Sequence, residues 1–398
     1  MAGEDLTSSR FAAPPRPPLS PADLGTEALL TTARRLTERT WELGLPTFFW
    51  GEGVCLLGMV RVAEAAGETY PERVREWLTA QARRDIVPDH VNHLAPGTAA
   101  VLADTPEFGS LTERLRDWAF TDPAVTRDPN GAIEHWPGGV WADTVFMAGV
   151  FFGHLGEARQ DPSLVAEFGR QLMAHAEILQ DRETGLYVHG SHAGTPVRCF
   201  WGRANAWCAL GSVEYLELAH RSPHLTDPAT VDAVTASLSR QLTALARRQP
   251  EHGVWSVLVD DQPENAGILE TSAAAGIGAA MLRAARVLPD PPAEVAAAGW
   301  RAVAGALAYL DDGTLTRASA GTVLQLVPFG YSVIRDDRPQ PWGHSPCTPW
   351  RRRWRPLHAL RRGHLPAAAV LRVHSDHAAP PDRREPERLA DDGSWNRC

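Results

Sequence analysis

No lysine occurs anywhere in the 398 residues; all 39 basic side chains are arginine. With heavy use of Ala, Gly and Pro, that bias points to a GC-rich coding sequence and says nothing about chemistry. Cysteine is scarce. Cys55, Cys199, Cys208, Cys347 and Cys398 form an odd, scattered set without Cys-x-x-Cys or metal-like spacing, which fits reduced thiols in a cytosol. The stretch Met1–Pro21 lacks the apolar segment of a secretory signal, and no apolar run reaches membrane-spanning length. The chain is therefore expected in the cytoplasm, off the membrane. A basic excess is also lacking: the formal charge is −9, which argues against a nucleic-acid partner.

What is present is a soluble, globular composition, 44% hydrophobic and 22% charged, long enough for one large domain or two ordinary ones. Residues 1–20 read as a disordered arm, and a helix is expected from Pro21 with Ser20 as its cap. Beyond it two kinds of helix alternate. Stretches apolar on all sides start near Trp50, Pro96, Trp141, Trp201 and Glu270. Between them lie charged stretches with one apolar stripe, such as Leu164, Phe168, Leu172, Ala176 and Leu179, or Val231, Val234, Leu238, Leu242 and Leu245. A helix without a polar face must be surrounded, and a one-faced helix must cover it. The pattern predicts an all-α fold, a closed ring of helical hairpins over residues 21–346; a superhelical solenoid is the structural alternative.

Loops rich in Trp, Gly, Pro and His precede the apolar helices, and gathered at one end of a ring they would line one pocket. Asp143 is a lone acid set into a helix expected to run unbroken to about Gly153, among Trp141, Phe146, Met147, Val150 and Phe151. Burial there would raise its pKa or demand a partner; alternatively it lies in solvent, offsetting the helix dipole. Arg203 and Trp207, four apart on one helix, suit a sugar acid, guanidinium for the carboxylate and indole for the ring. Equally, Arg203 is an arginine stacked on its own Trp. His189 and Asn92 read as a loop residue and a turn former when taken singly.

Together these segments resemble the unsaturated uronyl hydrolases of glycoside hydrolase families 88 and 105. The resemblance rests on Phe49-Trp50-Gly51-Glu52-Gly53, Val91 to Gly97, Trp141-Ala142-Asp143-Thr144-Val145-Phe146-Met147, Tyr187-Val188-His189-Gly190, Trp201-Gly202-Arg203-Ala204-Asn205-Ala206-Trp207 and Leu269-Glu270-Thr271-Ser272, and covers residues 25–346. It implies an (α/α)6 barrel without metal or organic cofactor. The implied substrate is an oligosaccharide from a polysaccharide lyase, with a 4,5-unsaturated uronic acid at its non-reducing end. The implied reaction is hydration of the vinyl ether: an Asp protonates C4, water adds at C5, and the hemiketal opens to release the partner sugar. By motif, Asp143 is that acid, and Arg203, Trp207, His189 and Trp141 line the uronate subsite.

Two departures stand out. Asn92, or by a shifted alignment Asp89, occupies a turn where many relatives carry Asp. The resemblance also stops inside a motif at Pro346, and residues 347–398 hold 11 Arg against 6 acidic residues. That tail reads as a different reading frame, which would remove the inner helix that closes the ring; a genuine basic tail is the alternative. Besides the hydrolase, a non-catalytic sugar-acid-binding relative and a sugar epimerase or isomerase are carried as alternatives. The last wants a pair of bases, and no His pair is evident near the Trp motifs.

Overall fold

Outer helices that bury one stripe and inner helices buried all round alternate through the computed structural model, which describes residues 14–342 except 335, 337 and 338. The first hairpin pairs outer α1 (Thr26–Leu43) with inner α2 (Trp50–Ala66), the second α3 (Glu72–Ala82) with α4 (Leu94–Leu102). In the third, outer α5 (Gly109–Thr121) precedes the inner pair α6 (Asp143–Met147) and α7 (Gly149–Arg159). Then come α8 (Pro162–Leu179) with α9 (Gly202–Arg221), α10 (Pro228–Arg247) with α11 (Thr271–Val287), and outer α12 (Ala293–Leu307). In α9 every residue from Gly202 to Leu216 is buried, whereas α10 buries mainly the stripe Val234, Leu238, Leu242 and Leu245.

Successive inner helices pack side by side, α2 on α4, α4 on α7, α7 on α9 and α9 on α11. The chain then returns to its start. The Trp342 ring lies 4.6 Å from that of Trp50. After the small hairpin β1 (Ser191–His192) and β2 (Thr195–Pro196), a second one, β3 (Leu310–Asp311) and β4 (Thr314–Leu315), follows α12. Arg39 Nε of α1 donates to Thr314 Oγ1 at 3.0 Å. The architecture is an (α/α)6 barrel, with five outer–inner pairs and the outer helix of the sixth among the described residues. The tail from Cys347 and the helix expected to close the inner ring lie outside those residues.

The loops at the start of the inner helices are laced into a belt of short extended segments. Ala142 N–H donates to His189 O at 2.9 Å, His189 N–H to Cys199 O at 2.9 Å, Gly202 N–H to Val257 O at 2.8 Å and Glu270 N–H to Trp255 O at 3.0 Å. Gly190 is required in this belt, because a Cβ there would stand 2.6 Å from Trp141 Cδ1 and 3.0 Å from Val140 O. At the opposite end of the inner helices, Arg61, His154, Glu214 and Arg283 form a buried cluster of charged and polar groups.

Three expectations need correction. The arm read as disordered over residues 1–20 makes defined contacts from Arg16 on: Arg16 pairs with Asp311 at 2.8 Å, and Leu19 N–H donates to Ala304 O at 3.1 Å. Its first residues, 1–13, lie outside the described ones. Ser20 caps only a 3-10 turn, Pro21–Leu24, through Asp23, and α1 begins at Thr26. Finally, the helix expected to run unbroken past Asp143 is two helices that meet at Ala148. Asp143 opens the first of them, so its carboxylate sits at the rim of the ring.

No described helix is long and apolar enough to cross a membrane. Beyond β4, residues 318–327 form a strap that leads into α13 (Pro328–Ser332). Leu326, Val327, Phe329 and Val333 of this region stand exposed.

Candidate active site

Asp143 is brought to the belt by α6, and His189 by the extended segment hydrogen-bonded to Ala142. Their facing atoms, Asp143 Oδ2 and His189 Nε2, are 3.4 Å apart. Both atoms are buried, and among the described residues neither has a well-formed hydrogen bond. The His189 ring is enclosed by Trp201 (4.3 Å between centroids), Trp141 (5.2 Å) and Tyr331 (5.8 Å). On its far side Nδ1 lies 2.7 Å from the Tyr331 hydroxyl.

The expected rise in the Asp143 pKa is not what this environment produces. Burial pushes the carboxyl up, but the adjoining His189, together with His135 and Arg203, holds it below the usual aspartate value. The apolar neighbours seen in the sequence are present; His189 and Arg203 of the next hairpin, with His135 from the loop before α6, outweigh them.

A file of packed rings runs from the site to the surface. His135 lies against Trp141 at 4.7 Å and 11°, and His90 against His135 at 4.8 Å. Trp136, 45% exposed, covers His90 at 4.4 Å. The histidine pair not evident in the sequence is thus present, His135 and His189 flanking Trp141. Burial lowers the His135 pKa to about 3, which makes it a weak base, and its Nδ1 is engaged with Thr144 Oγ1 at 3.0 Å.

Arg203 is buried beneath the strap. Its guanidinium donates to Ser319 O and Ala320 O, both at 2.7 Å, and to Thr322 Oγ1 at 3.1 Å. Trp201 stacks on it at 4.5 Å, with Trp50 on another side at 6.0 Å. Glu270, fully buried, stands 3.7 Å away and also accepts from Ser272 and Ser319. Arg203 therefore ties the strap to the barrel. Trp207, also buried, packs its ring on Phe146 at 5.0 Å and Trp50 at 6.4 Å, and its Nε1 has no partner among the described residues.

Of the two candidates for the second-acid turn, Asp89 is 81% exposed and pairs with His93. Asn92 is buried in the turn Val91–His93, which packs on α6, and its N–H donates to His90 Nδ1 at 3.1 Å. The structure thus gathers Asp143, His189, Trp141, Arg203 and Trp207 around one end of the ring, with Asn92 beside α6. Sequence reasoning missed His135 and Tyr331. Glu134-His135-Trp136 carried a signal, since it abuts the Trp-Pro-Gly-Gly turn; Tyr331 carried none. A separate cavity of about 880 Å³ on the outer side of α8, lined by Phe120, Arg127, Glu167, Arg170, Asp181 and Arg240, contains none of the Asp143 group.

The sequence profile described as Glycosyl Hydrolase Family 88 matches residues 30–348. The chain belongs to that family. The match ends two residues past Pro346, where the motif resemblance also breaks off. Among relatives of this family-88 chain, the unsaturated rhamnogalacturonyl hydrolase YesR of Bacillus subtilis is 29% identical over 336 residues, 80% of this chain and 92% of the relative. A Salmonella enterica structure described as "a possible member of GH105 family" superposes with a TM-score of 0.72 at 24% identity, over 82% of this chain and 93% of that one. The unsaturated glucuronyl hydrolase of Bacillus sp. GL1 gives a TM-score of 0.57 at 16% identity, over 81% and 95%. These two likenesses show the shared barrel.

Proposed function

We propose that this family-88 enzyme hydrates the 4,5-unsaturated uronic acid at the non-reducing end of lyase-generated oligosaccharides, with Asp143 as acid and base. The observation that carries the reading is the buried Asp143–His189 pair, 3.4 Å apart among the aromatic side chains at one end of the barrel. Asp143 gives its proton to C4 while water oxygen bonds to C5, and the carboxylate takes the proton that water loses. The C5 hemiketal then breaks its bond to the ring oxygen, leaving a ketone at C5 and a hemiacetal at C1. Collapse of the hemiacetal expels the partner sugar as an alcohol. Trp141 and Trp207 offer apolar faces to the sugar ring, His189 and Asn92 polar contacts, and Arg203 the positive potential that favours a uronate.

A lowered Asp143 pKa is compatible with an acid role because the substrate is itself an anion. Its carboxylate, bound near Asp143, opposes ionisation and raises that pKa again. The reactive complex needs Asp143 protonated, so the rate falls as pH rises through its value. The alkaline limb of kcat, which reports the complex, should therefore lie at higher pH than that of kcat/KM, which reports the free enzyme. Coincident limbs, or the reverse order, would remove this account.

The direct test is incubation with a panel of unsaturated disaccharides while following loss of the enol-acid ultraviolet absorbance. Turnover of none, with uronate binding retained, would favour the non-catalytic reading that the amide of Asn92 suggests. Arg203→Ala should weaken uronate binding by about 10-fold, through loss of the positive potential of a buried guanidinium near the site. Neutral sugars should lose much less. Equal losses for both would confine Arg203 to holding the strap. A cytoplasmic location is part of this proposal, supported by three buried cysteines, Cys55, Cys199 and Cys208, that are unpaired among the described residues; recovery of the protein in a secreted fraction would contradict it.

A further inference from the structure

We propose that Tyr331 is a positioning residue that sets the tautomer of His189, donating its hydroxyl proton to Nδ1 so that Nε2 carries hydrogen and faces Asp143 Oδ2. Its catalytic meaning rests on the hydration reading above; the tautomer itself does not.

With Asp143 ionised, as in the free enzyme, the geometry favours one of the two neutral tautomers of His189. The Tyr331 side chain is fully buried. Its oxygen accepts the Gln325 backbone N–H at 3.3 Å and lies 2.7 Å from His189 Nδ1. A phenol has one proton and two acceptor sites. With a donor arriving from Gln325, the proton is free to point at Nδ1. Burial raises the phenol's pKa, so the donor is not lost to ionisation. On the other side of the ring, Nε2 and Oδ2 face each other at 3.4 Å. A proton on Nδ1 alone would set two buried lone pairs against each other, an arrangement that leaves both acceptors unsatisfied. A proton on Nε2 turns the same contact into an N–H facing a carboxylate, which is attractive even at 3.4 Å.

The ring cannot turn to evade the choice. It is packed by Trp201 and Trp141, and its backbone is pinned by bonds to Cys199 and Ala142, each 2.9 Å. Tyr331 is pinned too, on α13 at the end of a strap that Arg203 holds through Ser319 and Ala320 and Asn265 holds through Pro328. With Nε2–H committed to Oδ2, Oδ1 is the oxygen left to carry the proton delivered to C4. Asp143 acts on the substrate; Tyr331 acts only through His189.

The test has two arms. In protein labelled with ¹⁵N-histidine, with His189 assigned by its absence in His189→Ala, the His189 signals should show hydrogen on Nε2 and a bare Nδ1. The same signals in Tyr331→Phe should shift toward a mixture of tautomers. Hydrogen on Nδ1, or a doubly protonated ring, in the unmutated protein would overturn the proposal. This arm needs no substrate, so it stands if the enzyme proves to act on something else, and it needs no variant of Tyr331 to fold. In the second arm, Tyr331→Phe should lower kcat about tenfold, the worth of one buried hydrogen bond, with KM little changed. In a His189→Ala background the same change should have almost no further effect. Equal losses in the two backgrounds would mean that Tyr331 merely supports the strap.

Discussion

Asp143→Asn is expected to lower turnover by about 10³-fold or more, because one carboxyl serves both as proton donor and as acceptor. The amide keeps the shape and can still face His189 Nε2, so KM should change little. Folding should survive, with a stability change of about 1 kcal/mol. Its direction should be downward: the Asp143 carboxyl is held below its ordinary value by His189, His135 and Arg203 against the opposing effect of burial, and a charged form favoured by folding contributes stability. Steady-state kinetics with an unsaturated disaccharide, alongside thermal unfolding, check both parts. Activity within a few-fold of the parent would end the assignment of Asp143 as the acid.

The second large effect is expected at the other end of the barrel. Glu214 accepts from Arg283 at 2.6 Å and Arg61 at 3.0 Å, with His154 at 3.3 Å, and all four side chains are buried. These groups come from α2, α7, α9 and α11, so one carboxylate ties together four inner elements. Glu214→Gln leaves two buried guanidinium groups short of negative charge, a change worth about 3 kcal/mol or more. Glu64 on Arg61 and Glu217 on Arg283 soften the loss. Denaturant titration should show the drop while turnover per folded molecule stays near the parent's, since the cluster lies away from Asp143.

The pH dependence of that difference follows from the sign of the shift. Burial alone would raise the Glu214 carboxyl; Arg283 and Arg61 more than reverse this and hold it well below the usual glutamate value. A group depressed in this way contributes fully above its unfolded value, about 4.3, and its contribution fades as pH falls through the lower, folded one. The stability gap between parent and Glu214→Gln should therefore be constant at neutral pH and shrink in acid. A gap that widened in acid would mean the carboxylate is not what holds the cluster together.

The inner and outer helices could be read from the chain because their signal is local. A stretch such as Val54 to Val60, apolar at every turn, has nowhere to go but the interior, and a single stripe such as that of α10 can face only one way. Asp143 stood out for the same reason, as an acid whose sequence neighbours are, Thr144 apart, apolar. Its electrostatics did not follow from those neighbours. The groups that hold its carboxyl down arrive from the loop before α6, from the belt segment at His189 and from α9, and a sequence window contains no term for charges brought in from other hairpins.

Similar reasoning covers the other differences. Asp89 and Asn92 are three residues apart, and only the 3-10 turn decides that the amide is buried beside α6 while the acid faces solvent. Arg203 could be placed beside Trp207 by helical spacing. Its real partners, Ser319, Ala320 and Glu270, lie 67 to 117 residues further along and are chosen by the path of the strap. Tyr331 is the extreme case, reaching His189 across 142 residues from a segment with no pattern of its own. Burial periodicity along the chain determined which helices are inner and where an acid would be conspicuous. Closure of the ring decided which side chains that acid meets, because only closure brings the ends of separate hairpins within hydrogen-bonding distance.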